Sequence, residues 1–236
     1  MARRLFHVPA VHRGAAALEG DDAKHLTRVL RVEPGQIYQI SDNESLYLAE
    51  VEEAHKGRVV FRITEKLPVP EPGAAITLCA ALIKFDHFEW MLEKVTELGV
   101  AQIVPVLAAR TEPGLDRAAA KRMERWRKIL LESSQQSRRV RRPEIVEPVN
   151  FKQALEVPAE VRLFADEAGG TPLVNAATQP GSVAILVGPE GGWTEAERQA
   201  ALVSWQPVSL GAHVLRAETA AMSALAVLSA VAQTRI

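Results

Sequence analysis

The apolar residues follow two different rules along this chain. Up to about residue 67 they come in short alternating stretches broken by turn residues. Gln36 to Ser41, Ser45 to Glu52 and Arg58 to Thr64 read as strands, separated by Asp42-Asn43 and Lys56-Gly57. One helix is predicted there, from Asp22 to Arg31, with Asp21 or Asp22 as its N-cap and Pro34-Gly35 as its stop. From Ala74 onward, apolar runs alternate with helix-period patterns. Ile76 to Ile83 is a continuous run, as a strand buried on both faces requires. Phe88, Met91, Leu92, Val95 and Leu98 then line one helical face, with Asp86 and Glu89 in capping-box spacing and Gly99 as terminator. Val100 to Leu107, Val161 to Ala165, Ala184 to Val187 and Val208 to Leu210 are further strands. A long helix is expected from about Asp116 to Gln136, and others begin at Thr194 and about Thr219.

Alternating strands and helices predict an α/β fold with a largely parallel sheet, and the short strands before it predict a small barrel. Leu67-Pro68-Val69-Pro70-Glu71-Pro72-Gly73 reads as a stiff linker. The expected domains are therefore residues 1–70 and 74–236.

Composition narrows the picture. The chain has 236 residues, 47% of them hydrophobic, with a net charge of -1. Bulk charge does not announce a nucleic-acid binder, so such binding would need a local basic patch. The single Cys79 sits in an apolar run and reads as a buried small hydrophobe. There is no signal-peptide pattern, no apolar stretch of roughly 20 residues, and no His or Cys cluster with metal-ligand spacing. The expectation is a soluble, cytoplasmic protein with no membrane contact and no metal.

Two glycine-bearing segments carry the chemistry. Val187-Gly188-Pro189-Glu190-Gly191-Gly192-Trp193-Thr194 and Leu210-Gly211-Ala212-His213-Val214-Leu215-Arg216 each follow a strand and run into a helix. Loops at the carboxyl ends of parallel strands are where such sheets bind small ligands. Glycine lets backbone amides approach a ligand closely and permits positive φ. Thr194 and Glu197 have capping-box spacing, so a helix is expected to begin at once. Phosphate-loop, dinucleotide and nucleophile-elbow motifs are absent.

These loops resemble the cofactor loops of the SPOUT methyltransferases. Lys84, Glu93-Lys94-Val95-Thr96-Glu97-Leu98-Gly99-Val100, Glu132-Ser133-Ser134-Gln135-Gln136-Ser137-Arg138 and His25-Leu26-Thr27-Arg28-Val29-Leu30-Arg31 resemble elements of one branch, the ribosomal RNA small-subunit methyltransferase E family. Ser133 stands where that branch usually has Ala. The resemblance implies a PUA-like N-terminal β-barrel, a C-terminal domain with a trefoil knot, and a homodimer. It implies S-adenosylmethionine as cofactor, and methylation of N3 of a uridine in 16S rRNA of the small ribosomal subunit. The cofactor-binding residues it implies are Phe164, Asp166 and Glu167 at one strand end, and Leu186, Val187, Gly188, Pro189, Glu190, Gly191 and Gly192 at a second. Leu210, Gly211, Val214, Leu215, Arg216 and Thr219 complete the set.

For catalysis, Arg216 is read either as the cation that stabilises a uracil anion or as a structural helix-end arginine. Glu190 is read as a candidate general base or as a loop-orienting group. Glu218 and Thr219 are further candidates, or simply open the last helix. Candidate RNA contacts are Lys24, His25, Arg28 and Arg31 on the first helix, Lys84, and the run Arg138, Arg139, Arg141 and Arg142. From Lys121 to Arg142 there are nine basic residues and two acids, which marks either a phosphate-binding face or a solvated one. Two other functions fit the same fold: a 2′-O-ribose methyltransferase, and a non-catalytic RNA-binding assembly factor.

Overall fold

A computed structural model describes residues 4–69, 75–178 and 181–233. The chain divides into two compact units, Met1–Glu71 with Ser134–Arg142, and Pro72–Ser133 with Pro143–Ile236. Residues 70–73 of the expected linker lie outside the described residues.

The first unit holds β1 (Leu5–His7), β2 (Val11–His12), β3 (Ala15–Glu19), α1 (Gly20–Arg28), β4 (Ile37–Ser41), β5 (Leu46–His55) and β6 (Arg58–Leu67). The strands form one sheet in the order β1-β4-β5-β6-β3-β2, antiparallel except for β1 against β4. Phe6, Leu18, Leu26, Ile40, Val51 and Phe61 build its core. β1, β2 and β3 were not expected, because two to five residues are too few to show a period.

The first helix departs from expectation at both ends. It begins at Gly20 with Glu19 as N-cap, and it ends at Arg28. Arg31 lies beyond it with φ +50°, so Lys24, Arg28 and Arg31 do not share a helical stripe. Val29, just past its end, is 64% exposed.

The second unit contains β7 (Ile76–Ala81), α2 (Phe85–Glu97), β8 (Gln102–Leu107), α3 (Leu115–Ala119), α4 (Met123–Ser137, its last turn in the first unit), β9 (Glu144–Ile145) and β10 (Val149–Asn150). It continues with α5 (Phe151–Leu155), β11 (Val161–Ala165), β12 (Thr171–Pro172), α6 (Leu173–Ala176), β13 (Val183–Val187), α7 (Glu195–Ala201), β14 (Gln206–Ser209) and α8 (Ala217–Gln233). The sheet is parallel, in the order β10-β8-β7-β13-β11-β14-β12, with β9 beside β8.

Successive strand residues point to opposite faces. Leu78, Ala80, Ile185 and Val187 therefore join one core with α2 and α8. Cys79, Ala184 and Leu186 join another with Phe151, Ala201 and Trp205. This double burial explains the uninterrupted apolar runs. Burial pushes the Cys79 thiol up to about 12, which makes it inert.

The α2 face lies where expected, with Phe88, Met91, Leu92 and Val95 buried and Gly99 at φ +97°. Its cap does not. Lys84 occupies the N-cap without a side-chain bond. Glu89 instead accepts from Arg122 at 2.9 Å and Arg125 at 2.8 Å. The expected long helix is interrupted by a 3₁₀ turn at Ala120–Arg122. Among the described residues no helix is long and apolar enough to cross a membrane.

Candidate cofactor site

Three loops leave the carboxyl ends of the neighbouring strands β13, β11 and β14 and line one cavity of about 550 Å³. Small-molecule sites fall at roughly 300–1,000 Å³. Its walls come from Ala165–Ala168, Val187–Glu190, Gly192, Trp193 and Val208–Ala217, all within the second unit.

The middle loop begins where β13 stops. Gly192 donates to the Pro189 carbonyl at 2.9 Å with φ +69°, a turn that disfavours any side chain. Thr194 then caps α7, and the expected box with Glu197 is present in both directions. Glu197 also accepts from the Ala109 N–H at 2.7 Å, tying the loop after β8 to this turn. Arg110, on that same loop, donates to the Gly191 carbonyl at 2.7 Å.

The loop after β11 is braced by Asp166, which is 8% exposed. It accepts from the Ala168 N–H at 3.0 Å and from Arg198 Nε at 2.7 Å. That bond holds the Arg198 guanidinium above its ordinary range. In the loop after β14, Ser209 Oγ accepts from the Gly211 N–H at 3.3 Å. Gly211 has φ +141°, with open space where a Cβ would stand.

Most of the expected cofactor residues meet here. Asp166, Glu167, Val187, Gly188, Pro189, Glu190, Gly192, Leu210, Gly211, Val214, Leu215 and Arg216 line the cavity. Phe164 and Leu186 lie behind it, fully buried. Gly191 is braced by Arg110, and Thr219 sits in the first turn of α8; neither is part of the wall. Arg216 and Glu190 are exposed at the cavity, whereas Glu218 is 3% exposed and meets His87 Nδ1 at 3.1 Å.

Trp193, Glu195, Arg198 and His213 also line the cavity, and sequence reasoning did not select them. Arg110 was missed as well. It stands 81 residues from Gly191 along the chain, and no local pattern signals such a pairing.

The residues present suit a cationic nucleoside cofactor. Arg198 pairs with Asp166 at 2.7 Å and with Glu195 at 4.0 Å, which leaves Glu167 and Glu190 against Arg216 along the wall. The main chain of two glycine loops is open to base and ribose edges. Among the described residues there is no group of three side chains able to hold a metal ion.

The expected RNA contacts are placed as follows. Lys24 pairs with Asp21 at 2.7 Å, while His25, Arg28 and Arg31 are exposed. Lys84 is exposed at the start of α2. Arg138, Arg141 and Arg142 are exposed, and Arg139 is half-buried.

Known proteins resemble this chain over nearly its whole length. An RNA methyltransferase domain model matches residues 70–229, and an RNA methyltransferase PUA domain model matches residues 18–64. The chain is thus a member of the RNA methyltransferases. More narrowly, it belongs to the ribosomal RNA small subunit methyltransferase E family. It is 31% identical to the Synechocystis member over 99% of this chain and 79% of that relative. It is 32% identical to the Mycobacterium bovis member over 95% and 90%. A crystal structure of the Neisseria gonorrhoeae member, bound to S-adenosyl methionine, superposes with a TM-score of 0.90 at 29% identity, covering 98% of both chains.

Proposed function

We infer that the protein transfers a methyl group from S-adenosylmethionine to N3 of a uridine in 16S rRNA of the small ribosomal subunit. The observation that carries this reading is the convergence of three strand-end loops on one acid-lined cavity, in a chain of this family. The cofactor supplies an activated methyl group on a cationic sulfur. The backbone of Gly188–Glu190, Gly192 and Leu210–Leu215 would grip it, and Glu167 and Glu190 would complement its charge. Uracil N3 carries a proton that must leave before its lone pair is available. Arg216, exposed at the cavity, stabilises the resulting uracil anion. Glu190, also exposed there, is the general base. Glu218, held by His87 away from the wall, orients the start of α8.

Arg138, Arg139, Arg141 and Arg142, with Lys24, His25, Arg28, Arg31 and Lys84, supply the RNA contacts. The same reading gives the first unit a PUA-like barrel, the second a trefoil knot, and the protein a cytoplasmic homodimer. The 48% exposure of Trp90 on α2 supports a partner at that helix.

Two measurements test the function. Calorimetry should show S-adenosylmethionine binding, weakened about tenfold in Gly211→Ala, because side chains rarely adopt this φ and a substitution there strains the loop. Nucleoside mass spectrometry on unmodified small-subunit particles should then find 3-methyluridine. A 2′-O-methyl product, or none, overturns the assignment.

A further inference from the structure

The segment after α4 is anchored by side chains that the function above does not use. His7 Nε2 lies 3.0 Å from the Arg139 carbonyl oxygen, so that nitrogen carries the proton. Ser41 Oγ–H donates to the Val140 carbonyl at 2.6 Å. The Arg142 N–H donates to Asn43 Oδ1 at 2.8 Å. His7 and Ser41 are direct partners in the β1–β4 pairing, and Asn43 follows two residues later in a left-handed turn at φ +77°. Both His7 and Ser41 are buried, at 5% and 0% exposure. Buried polar side chains need partners, and these two take theirs from the peptide groups of a segment about 100 or more residues away. The segment belongs to the same compact unit.

Its entry is also specified. α4 ends with Arg138 at φ +57°, and the Arg139 N–H returns to the Ser134 carbonyl at 2.9 Å. Glycine is the usual residue at such a helix end, because a side chain there is strained. An arginine holds that conformation here because the following residues are pinned.

Charge separates this segment from the rest of the basic stretch. Along and just before α4, Arg122 and Arg125 pair with Glu89, Arg127 with Glu147 and Lys128 with Glu132. Among the described residues, no carboxylate lies within ion-pair distance of Arg138, Arg141 or Arg142. Most cations of the helix are neutralised internally, whereas Arg138, Arg141 and Arg142 after it keep their charge for an outside anion.

We propose that His7, Ser41 and Asn43 are positioning residues for RNA binding, which hold residues 138–142 as a fixed strap of phosphate-contacting arginines on the N-terminal unit. This rests on the reading of the protein as acting on RNA. A pinned strap presents its cations without first having to be ordered, which raises affinity while adding no new interaction. The partner it fits is the phosphate backbone of structured RNA, whose binding weakens with salt in proportion to the number of phosphates neutralised.

The test uses the full-length protein and in vitro transcribed 16S rRNA, with filter binding at several salt concentrations and steady-state transfer kinetics. Asn43→Gly keeps the left-handed turn and removes the carboxamide. Ser41→Ala removes the second anchor, and Arg141→Ala/Arg142→Ala serves as reference. Each anchor variant should raise the RNA Kd and the KM about three- to tenfold. The slope of log affinity against log salt should become shallower, by about 0.7–0.9 for each phosphate that is no longer neutralised. kcat and the affinity for S-adenosylmethionine should not change. If Ser41→Ala does not fold, Asn43→Gly alone carries the test. Wild-type Kd and salt slope in a folded Asn43→Gly protein overturn the proposal, as does unimpaired binding by the double arginine variant. Absence of methyl transfer by the wild-type protein would strike the enzymatic reading only, since the binding measurements stand without it.

Discussion

A Cβ at position 188 would lie 3.0 Å from the Trp193 ring, so Gly188 makes room for an indole. That ring packs on Phe151 at 5.2 Å and Phe164 at 5.6 Å, which fastens the cofactor loop to the core beneath it. Gly211 is required for another reason, its φ alone. The same residue type thus serves packing in one loop and backbone conformation in the next. His7 shows burial acting on a titratable group. Desolvation, helped by the positive charges of Arg142 and Arg139, lowers it to about 4. The unfolded chain takes up this proton near the ordinary pKa of about 6.5, and the folded protein only near 4. Stability from this residue is therefore full above 6.5 and is lost as pH falls from there through 4, in total roughly 3 kcal/mol. Urea unfolding at pH 7, 6 and 5 should show that decline. His7→Gln, which keeps a donor for the Arg139 carbonyl but does not titrate, should flatten it. An equally steep decline in that variant would assign the acid sensitivity to other groups.

Elements begin and end according to what their polar residues meet. Thr194-to-Glu197 and Asp86-to-Glu89 have the same spacing, yet only the first forms a capping box. Glu197 is 8% exposed and accepts from the Thr194 N–H at 2.9 Å, its hydroxyl at 2.8 Å and the Ala109 N–H at 2.7 Å. Glu89 is claimed instead by two guanidinium groups from the stretch around α4. Losing the Thr194 side chain should cost about 1 kcal/mol, the usual value of an N-cap. Glu197→Ala should cost more, about 2 kcal/mol, because it removes the bond from the Ala109 N–H as well as both bonds from Thr194 to a carboxylate that is itself buried. Urea midpoints compare the two, and equal losses would show that the Ala109 bond contributes nothing. Short pieces escaped the sequence reading for a related reason. α5 is five residues long, and its Asn150–Gln153 capping box is too brief a signal to stand out from a loop.

For the whole molecule, the interesting feature is that the first unit is discontinuous. Ser134–Arg142 reaches it only at the end of a helix whose earlier turns belong to the second unit. All four tryptophans lie in the second unit, so their fluorescence reports on it alone, while far-ultraviolet circular dichroism reports on both. The shared helix α4 should make the two signals follow a single urea transition; two separated midpoints would show that the units unfold independently.

The order of residues was enough to reveal the alternating strands and helices from Ile76 onward, the buried face of α2, the box at Thr194 and the three strand-end loops that line the cavity. Each depends on neighbours a few residues apart, where period, turn chemistry and caps act directly. Only the tertiary structure decided that Arg110 would brace Gly191, that Arg198 would hold Asp166, and that the arginine run would be fastened to His7, Ser41 and Asn43. Those pairings join segments 32 to 132 residues apart. They exist because the packing of sheets and helices brings particular side chains together, and no local period along the chain encodes which ones.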